Sequence, residues 1–195
     1  MNSLNHKLLR DLWKMKGQVI AIILVIVSGV GTFVMLRSNM HSLITTKDAF
    51  YADYGFADIF ASVKRAPESI AQGVSEIPGV DVVETRVSGD AKLSVPDFHE
   101  PVSARLVSVP DNRASGLNRL FLRTGRMPEP WKDNEAVVNE AFADAHGMSP
   151  GAKIGAVING RWKTVIITGI ALCPEFVLQA KPGSISPDYK RYAIL

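Results

Sequence analysis

The chain has 195 residues, a formal net charge of +3 and one cysteine. The basic excess lies entirely in residues 1–16, because residues 17–195 contain 18 basic and 18 acidic side chains. A positive charge confined to one short segment does not indicate a nucleic-acid-binding surface, so no nucleic-acid partner is expected. A single cysteine excludes an intramolecular disulfide and a site built from several thiolates. Cys173 is expected to be a small buried residue.

Residues 1–16 show the pattern of an amphipathic helix. At 100° per residue, the apolar side chains from Leu4 to Met15 share one side of the wheel, and most polar side chains share the other. This pattern predicts a helix in the membrane interface with its basic side toward anionic headgroups. The basic residues are Lys7, Arg10, Lys14 and Lys16. They also fit a simple flank that sets membrane topology, and the two interpretations are compatible.

Residues 17–36 form the most apolar stretch of the chain. They include no charged residue, and twelve of the twenty are Val, Ile, Leu or Phe. A helix of this length spans roughly 30 Å, the thickness of the bilayer hydrocarbon. A buried strand would be shorter, and a cleaved signal peptide would have a shorter apolar region and a small-residue cleavage site. We therefore expect an uncleaved transmembrane helix that continues to about residue 54.

The basic cluster before this span predicts its orientation. Positive residues are retained on the cytoplasmic side of a membrane. The N-terminus is therefore expected in the cytoplasm, and residues 37–195 outside it.

Small residues of the span gather on one side of the helical wheel. Such a side allows two helices to approach closely within lipid. The predicted packing face consists of Gly17, Ala21, Ser28, Gly31 and Thr32. A chance arrangement is the alternative, since small residues are common in such helices. If the face is real, the helix packs against other helices or a second copy of the chain.

The first part of the remaining chain, residues 56–110, predicts an α+β unit. Strands are expected at 57–63, 80–87, 89–95 and 101–109, with a helix after Pro67 between the first two. Ile70, Val74 and Ile77 are expected to form the buried stripe of that helix. The pattern favours an antiparallel or mixed sheet.

The second part, residues 111–195, is expected to be rich in β-hairpins. A loop is predicted at 110–116, followed by Arg119, Arg123 and Arg126, which fit either an anion or partner site or a solvated face. A strand over 135–138 leads to a helix over 140–146 capped by Asn139. Asn159-Gly160 predicts a hairpin between 153–158 and 161–172. Residues 192–195 resemble the start of a further strand.

No motif in the chain indicates catalysis. A phosphate-binding glycine-rich loop, a His-x-x-x-His pair and a Gly-x-Ser-x-Gly elbow are all missing from the sequence. The four histidines are scattered over unlike segments. We therefore predict no catalytic residue, no metal site, no cofactor and no enzymatic activity.

Several short stretches, taken in order after one spanning segment, resemble the N-terminal part of an ABC-transporter permease of the MacB/FtsX type. They are Leu8–Trp13 with Gly17-Gln18, Phe56–Ala61, Ile77–Val80, Val83–Arg86, Leu117–Leu120, Gly125-Arg126 with Pro128, Glu135–Phe142 and Ile167–Ala171. Each stretch is weak by itself, and their order makes the resemblance more specific.

This resemblance implies a cytoplasmic elbow helix (1–16), a first transmembrane helix (17–36) and a periplasmic core domain with subdomains at 56–110 and 111–195. It places the protein in a bacterial inner membrane, with an ABC ATPase subunit, other permease helices and a periplasmic adaptor protein as partners. ATP hydrolysis is expected only in the ATPase subunit. The sequence ends at Leu195 without a second span, so a truncated permease or fragment is expected.

Two other classes remain open from the sequence. One is a self-sufficient single-pass membrane protein whose outer domain is an adaptor or assembly module. The other is a membrane-anchored enzyme. The DNA beyond the codon for Leu195 distinguishes the first of these from a permease fragment, since a permease requires further in-frame hydrophobic segments.

Overall fold

The computed structural model describes residues 3–109, 116–181 and 183–195. It divides into two compact units, one ending at Ala49 and the other spanning Phe50–Leu195. Most of the predicted loop at 110–116 lies outside the described residues. The prediction of an α+β protein with a long N-terminal apolar helix followed by a mixed sheet is confirmed.

The first unit is helical. Helix α1 spans Ser3–Lys14, and helix α2 spans Lys16–Asp53, so Met15 is the one residue between them. At 1.5 Å per residue, the 38 residues of α2 extend about 57 Å. None of its residues is buried, and an 18-residue window reaches a mean hydropathy of 2.8. By length and composition α2 can cross a membrane, although many of its residues are β-branched.

The second unit contains a seven-stranded sheet in the order β3-β6-β5-β1-β2-β7, with β4 also paired to β6. The strands are β1 Ser88–Ser94, β2 Val102–Val107, β3 Phe121–Gly125, β4 Glu135–Asn139, β5 Lys153–Ile158, β6 Arg161–Leu172 and β7 Tyr192–Ile194. The β2–β7 and β4–β6 pairs are parallel and the other pairs are antiparallel. Strands from 56–110 and from 111–195 therefore share one sheet, and the division into two subdomains stays a prediction.

The core lies under this sheet, where alternate side chains of its strands meet helix α4 (Glu140–Ala145). Phe142 of α4 is fully buried, as are Val138 of β4 and Ile167 of β6. The inward positions follow the two-residue period of strands, so Ile154 and Ala156 of β5 face the core while their neighbours do not. The hydrophobic cluster comprises fourteen buried residues. These residues hold together the second unit, which is called the β-domain from here on.

The hairpin predicted around Asn159-Gly160 is confirmed. Strand β5 pairs with β6 from Lys153 opposite Ile166 to Ile158 opposite Arg161. Asn159 and Gly160 have φ of 50° and 75°, the left-handed values that a tight two-residue turn requires. The predicted strand at the end of the chain is also present, as β7.

Two predicted strands are wrong. Residues 57–63 and 80–87 are not in strands, although both are rich in residues with high β-propensity. Propensity alone does not make a strand, since its backbone groups need a neighbouring strand. The predicted buried stripe is also wrong, because helix α3 (Ser69–Ser75) has no buried residue and Ile70, Val74 and Ile77 are exposed.

Asn139 precedes α4, as expected, yet its side chain does not cap the helix. Its Oδ1 accepts hydrogen bonds from Gln179 Nε2 at 2.8 Å and from the Ile194 N–H at 3.3 Å. Gln179 also donates to the Tyr192 carbonyl at 2.9 Å and is 1% exposed. This half-buried amide pair joins β4 to β7, and the cap prediction is wrong because the Asn139 side chain bonds this tertiary partner instead of the helix.

Candidate functional site

The last residues of α2, from Phe50 to Asp53, belong to the second unit, and their contacts with the β-domain are here called the junction. Phe50 and Tyr54 lie one helical turn apart, and their ring centroids are 4.8 Å apart. Phe121 of β3 meets both rings edge-on, at 6.5 Å from Phe50 and 5.4 Å from Tyr54. Aromatic pairs in this arrangement attract each other beyond their burial. The last turn of α2 is thereby packed onto a strand.

The local sequence ends α2 with a Schellman motif. Gly55 has φ of +63°, the Phe56 N–H donates to the Tyr51 carbonyl at 2.9 Å, and the Gly55 N–H donates to the Ala52 carbonyl. The rings of Tyr51 and Phe56 stack at 4.4 Å, which is the apolar contact typical of this motif. A Cβ at Gly55 would lie 2.6 Å from the Gly116 carbonyl oxygen. Glycine is needed here for its φ and for this close approach.

Residues 118 and 119 satisfy the helix-end carbonyls that have no partner within α2. The Asn118 N–H donates to the Gly55 carbonyl at 2.7 Å, and the Arg119 N–H donates to the Tyr54 carbonyl at 2.8 Å. The Arg119 guanidinium also donates to the Asp53 carbonyl. A cation at a helix C-terminus is favourable for the helix dipole as well. We call Asn118 and Arg119 the helix clamp.

The side chain and the carbonyl of Asn118 bond the clamp to the rest of the β-domain. Its Oδ1 accepts a hydrogen bond from the Ala57 N–H at 3.2 Å, and its carbonyl accepts one from the Cys173 thiol at 3.6 Å. Asn118 is 5% exposed. Cys173 is buried, as expected, and burial raises the pKa of its thiol. The thiol therefore serves as a weak donor in the junction.

A charged pair supports the segment that leads into the clamp. Glu84 accepts hydrogen bonds from the N–H groups of Gly116 and Leu117 at 3.1 and 3.0 Å. Arg86 donates to Glu84 at 2.8 Å and to the Leu117 carbonyl at 2.6 Å. Glu175 lies 3.7 Å from Arg86, and burial raises the pKa of its carboxyl although Arg86 opposes the shift. Residues 84–86 were expected in a strand, but Glu84 and Arg86 instead form hydrogen bonds with Gly116 and Leu117, which precede the clamp.

The three arginines after residue 117 are bonded within the protein. Arg119 belongs to the clamp, Arg123 pairs with Glu140 at 3.0 Å, and Arg126 pairs with Glu135 at 2.8 Å. All three side chains are exposed, as the solvated face predicts, and the anion or partner site stays a prediction. Leu117–Leu120 is one of the stretches that carry the family resemblance, but no pattern in a single sequence indicates that Asn118 and Arg119 contact the end of a helix more than sixty residues earlier.

The predicted packing face and basic cluster lie in the first unit, away from these contacts along the chain. Gly17, Ala21, Ser28, Gly31 and Thr32 are exposed, and a Cβ added to either glycine would meet nothing within 4 Å. The Ser28 and Thr32 hydroxyls donate to carbonyls of α2 itself. The basic cluster is exposed too; its members are Lys7, Arg10, Lys14 and Lys16. Both functional assignments stay predictions.

Within 3–109, 116–181 and 183–195, no three His, Cys, Asp or Glu side chains lie close enough together to hold a metal ion. Every buried side-chain nitrogen or oxygen in these ranges has a hydrogen-bond partner. The buried polar side chains of the junction are therefore all hydrogen-bonded.

Two solved structures illustrate what the β-domain is similar to. One is the periplasmic region of MacB from Actinobacillus actinomycetemcomitans, at 16% identity and a TM-score of 0.37, over 68% of this chain and 55% of that one. The other is the extracellular domain of the noncanonic ABC-type transporter YknZ from Gram-positive bacteria, at 15% identity and a TM-score of 0.38, over 61% of this chain and 65% of that one.

The chain thus spans 55–65% of the length of these two structures. No protein-family model matches the sequence, and no curated protein matches it significantly. Similarity at these identities and TM-scores does not show the family of this chain.

Proposed function

We propose that this chain is a membrane-spanning permease component of an ABC-type transport or mechanotransmission system. In this role α2 crosses the membrane and connects a cytoplasmic ATPase to the β-domain outside. One observation carries the proposal: α2 runs unbroken from the apolar residues 17–36 to Asp53, whose carbonyl the clamp residue Arg119 binds. A membrane helix that only anchors a domain does not need the contacts of this junction, since a flexible linker would suffice.

The hydrogen bonds and ring contacts of the junction suit the transmission of movement from the helix to the β-domain. Hydrogen bonds to the Asp53, Tyr54 and Gly55 carbonyls and the contacts of Phe121 oppose rotation and withdrawal of the helix end. A displacement of α2 would then reach β3 through packed and bonded atoms, which is how coupling between distant sites is carried. The resemblance to MacB/FtsX-type permeases supports the same role, with an inner-membrane location and a cytoplasmic N-terminus.

The partners follow from this role. A separate ABC ATPase subunit supplies the hydrolysis of ATP, other permease helices or a second copy of the chain pack against α2, and a periplasmic adaptor protein can join the complex. The chain itself is proposed to have no enzymatic activity and no cofactor, because its sequence lacks a phosphate-binding loop.

The test uses the full chain, tagged and purified from its native membranes in mild detergent. We expect an ABC ATPase subunit to co-purify, and ATP to change the tryptic cleavage pattern of the β-domain. Arg119→Ala should abolish that ATP-dependent change without releasing the ATPase. Arg191→Ala, which removes an exposed ion pair with Glu100 instead, is the matched control and should behave as wild type.

Purification without any ATPase would contradict the permease role and favour a single-pass adaptor. An ATP-dependent change that survives Arg119→Ala would leave the ATPase association intact but refute the clamp as its route.

A further inference from the structure

Residues 58–64 are open to solvent although their composition is that of a strand. The chain bends at Asp58 and again at Lys64, and the five residues between them belong to no helix, strand or turn. All seven residues are exposed, with Ile59 at 85% and Val63 at 71%. β-Branched and aromatic residues favour strands, and neighbouring exposed apolar side chains are typical of a surface that binds a partner. These residues are here called the 58–64 segment.

The backbone of the 58–64 segment is unpaired as well. No hydrogen bond joins it to any residue of 3–109, 116–181 or 183–195. The Ala57 N–H just before it is bonded to Asn118, and hydrogen bonds resume at the Pro67 carbonyl. A flexible linker would be rich in Gly and Ser, whereas this segment has one Ser and no Gly. An apolar stretch with an unpaired backbone is a template for the addition of a second strand.

The order of residues in the 58–64 segment is complementary to a second copy of itself. When two copies run antiparallel with Ala61 opposite Ala61, each residue faces the one equally far on the other side of Ala61. Asp58 of each copy then faces Lys64 of the other, and Ile59 faces Val63. Directly opposed charges of opposite sign and directly opposed apolar side chains both stabilise a strand pair. A two-fold axis through Ala61 produces each of these contacts twice.

This complementarity specifies one register. Side chains alternate between the two faces of a strand, so Ile59, Ala61 and Val63 share one face and the two charged residues share the other. A shift of one residue places Ile59 opposite Ser62 or Lys64 instead of Val63 and separates Asp58 from Lys64. Both charges are available for this contact, since in the described part of the chain neither forms an ion pair.

We propose that the 58–64 segment pairs with the same segment of a second copy of the chain, as an antiparallel ribbon across a two-fold axis. The pairing supplies the missing backbone hydrogen bonds and covers Ile59 and Val63. A two-stranded ribbon is marginal by itself, and confinement of two copies in one membrane by α2 raises their effective concentration. The inference does not depend on the permease role, on the direction in which α2 crosses a membrane or on the predicted packing face.

A cross-link at the two-fold axis is the first test, with the full chain in membrane vesicles. Ala61→Cys places two thiols opposite each other, and mild oxidation should give a disulfide-linked dimer. Ala66→Cys is the matched control, because Ala66 is also exposed but lies beyond the segment, where its two copies would be far apart. It should give no dimer. The native Cys173 is buried and should not contribute.

Charge reversal tests the register and the identity of the partner together. In the Ala61→Cys chain, Asp58→Lys or Lys64→Asp alone should lower the dimer yield about tenfold, because both ends of the ribbon then oppose like charges. Co-expression of the two reversed chains, distinguished by tags of different size, should restore a mixed dimer, since every lysine again faces an aspartate. Each reversed chain should keep the wild-type Tm, because both side chains are exposed.

Several outcomes would overturn the proposal. They are no dimer from Ala61→Cys, equal dimer yields from Ala61→Cys and Ala66→Cys, and yields that do not respond to charge. A fall in Tm on charge reversal would show that the charges serve the fold of their own chain. Failure of the two reversed chains to restore the mixed dimer would show that the segment pairs within its own chain or with another protein.

Discussion

Asn118 combines a left-handed backbone with a buried, bonded side chain. Its φ is +48°, and asparagine tolerates this conformation better than most residues. Its Oδ1 then reaches the Ala57 N–H, so one residue shapes the chain and satisfies a buried donor. The junction therefore depends on Asn118 both for its backbone conformation and for its side-chain hydrogen bond.

Replacement of Asn118 by glycine tests the contribution of its side-chain hydrogen bond to stability. Glycine keeps the positive φ but leaves the Ala57 N–H without its acceptor, which should cost about 1–3 kcal/mol of unfolding free energy. Asn159→Gly is the matched control, since Asn159 also has a positive φ of 50° but lies at an exposed turn. It should change stability by less than about 0.5 kcal/mol. Urea unfolding of both variants followed by circular dichroism measures the difference, and equal effects would refute the role of Oδ1.

The ionisation of Glu135 makes the stability of the β-domain depend on pH in the acid range. Hydrogen bonds from Arg126 and from the Glu129 N–H lower the pKa of its carboxyl from 4.5 to about 2. Because the folded pKa lies below the unfolded one, the contribution to stability is complete above about pH 4.5 and is lost as pH falls toward 2. Wild-type Tm should therefore fall more steeply over this range than the Tm of Glu135→Gln. Parallel pH profiles would contradict this linkage.

Among the elements, α2 contains two regions with different partners. Its apolar residues have no contact within the described structure that buries them, whereas Phe50 and Tyr54 near its end pack on Phe121. The Ser28 and Thr32 hydroxyls are bonded to carbonyls of the same helix, so the small-residue side presents little unsatisfied polarity. Such a surface is compatible with lipid and with close helix packing.

The packing face predicts a clear asymmetry between the two sides of α2. Ser28→Leu or Gly31→Leu should weaken helix association, because a bulky side chain separates the two backbones. Ile23→Leu and Ile26→Leu, on the opposite side, should leave association unchanged. A membrane two-hybrid reporter with residues 1–45 measures this. Equal losses on both sides would mean that hydrophobicity alone drives association, and no loss on either side would indicate an isolated anchor.

For the whole molecule, the basic cluster predicts the orientation of the chain in the membrane. The basic cluster at Lys7, Arg10, Lys14 and Lys16 should keep the N-terminus in the cytoplasm. Alkaline phosphatase fused after Leu195 should therefore be active, and green fluorescent protein fused there should be dark. The reverse pattern would place the β-domain in the cytoplasm and exclude the proposed arrangement.

The sequence by itself determined the elements whose signals are local. The apolar run of α2 and the Asn159-Gly160 hairpin depend on spacing and turn chemistry within a few residues, and both are present as expected. These features need no knowledge of distant parts of the chain, because one turn or one residue period specifies them.

Only the tertiary structure decided which distant segments meet. Residues 57–63 and 80–87 have the composition of strands, but strands form only where a partner supplies hydrogen bonds, and here none is assigned. Asn139 suits a helix cap, yet it bonds Gln179 instead. The helix clamp joins Asn118 and Arg119 to carbonyls more than sixty residues earlier. A single sequence does not specify such pairs, since their energy arises only when folding brings the two groups together.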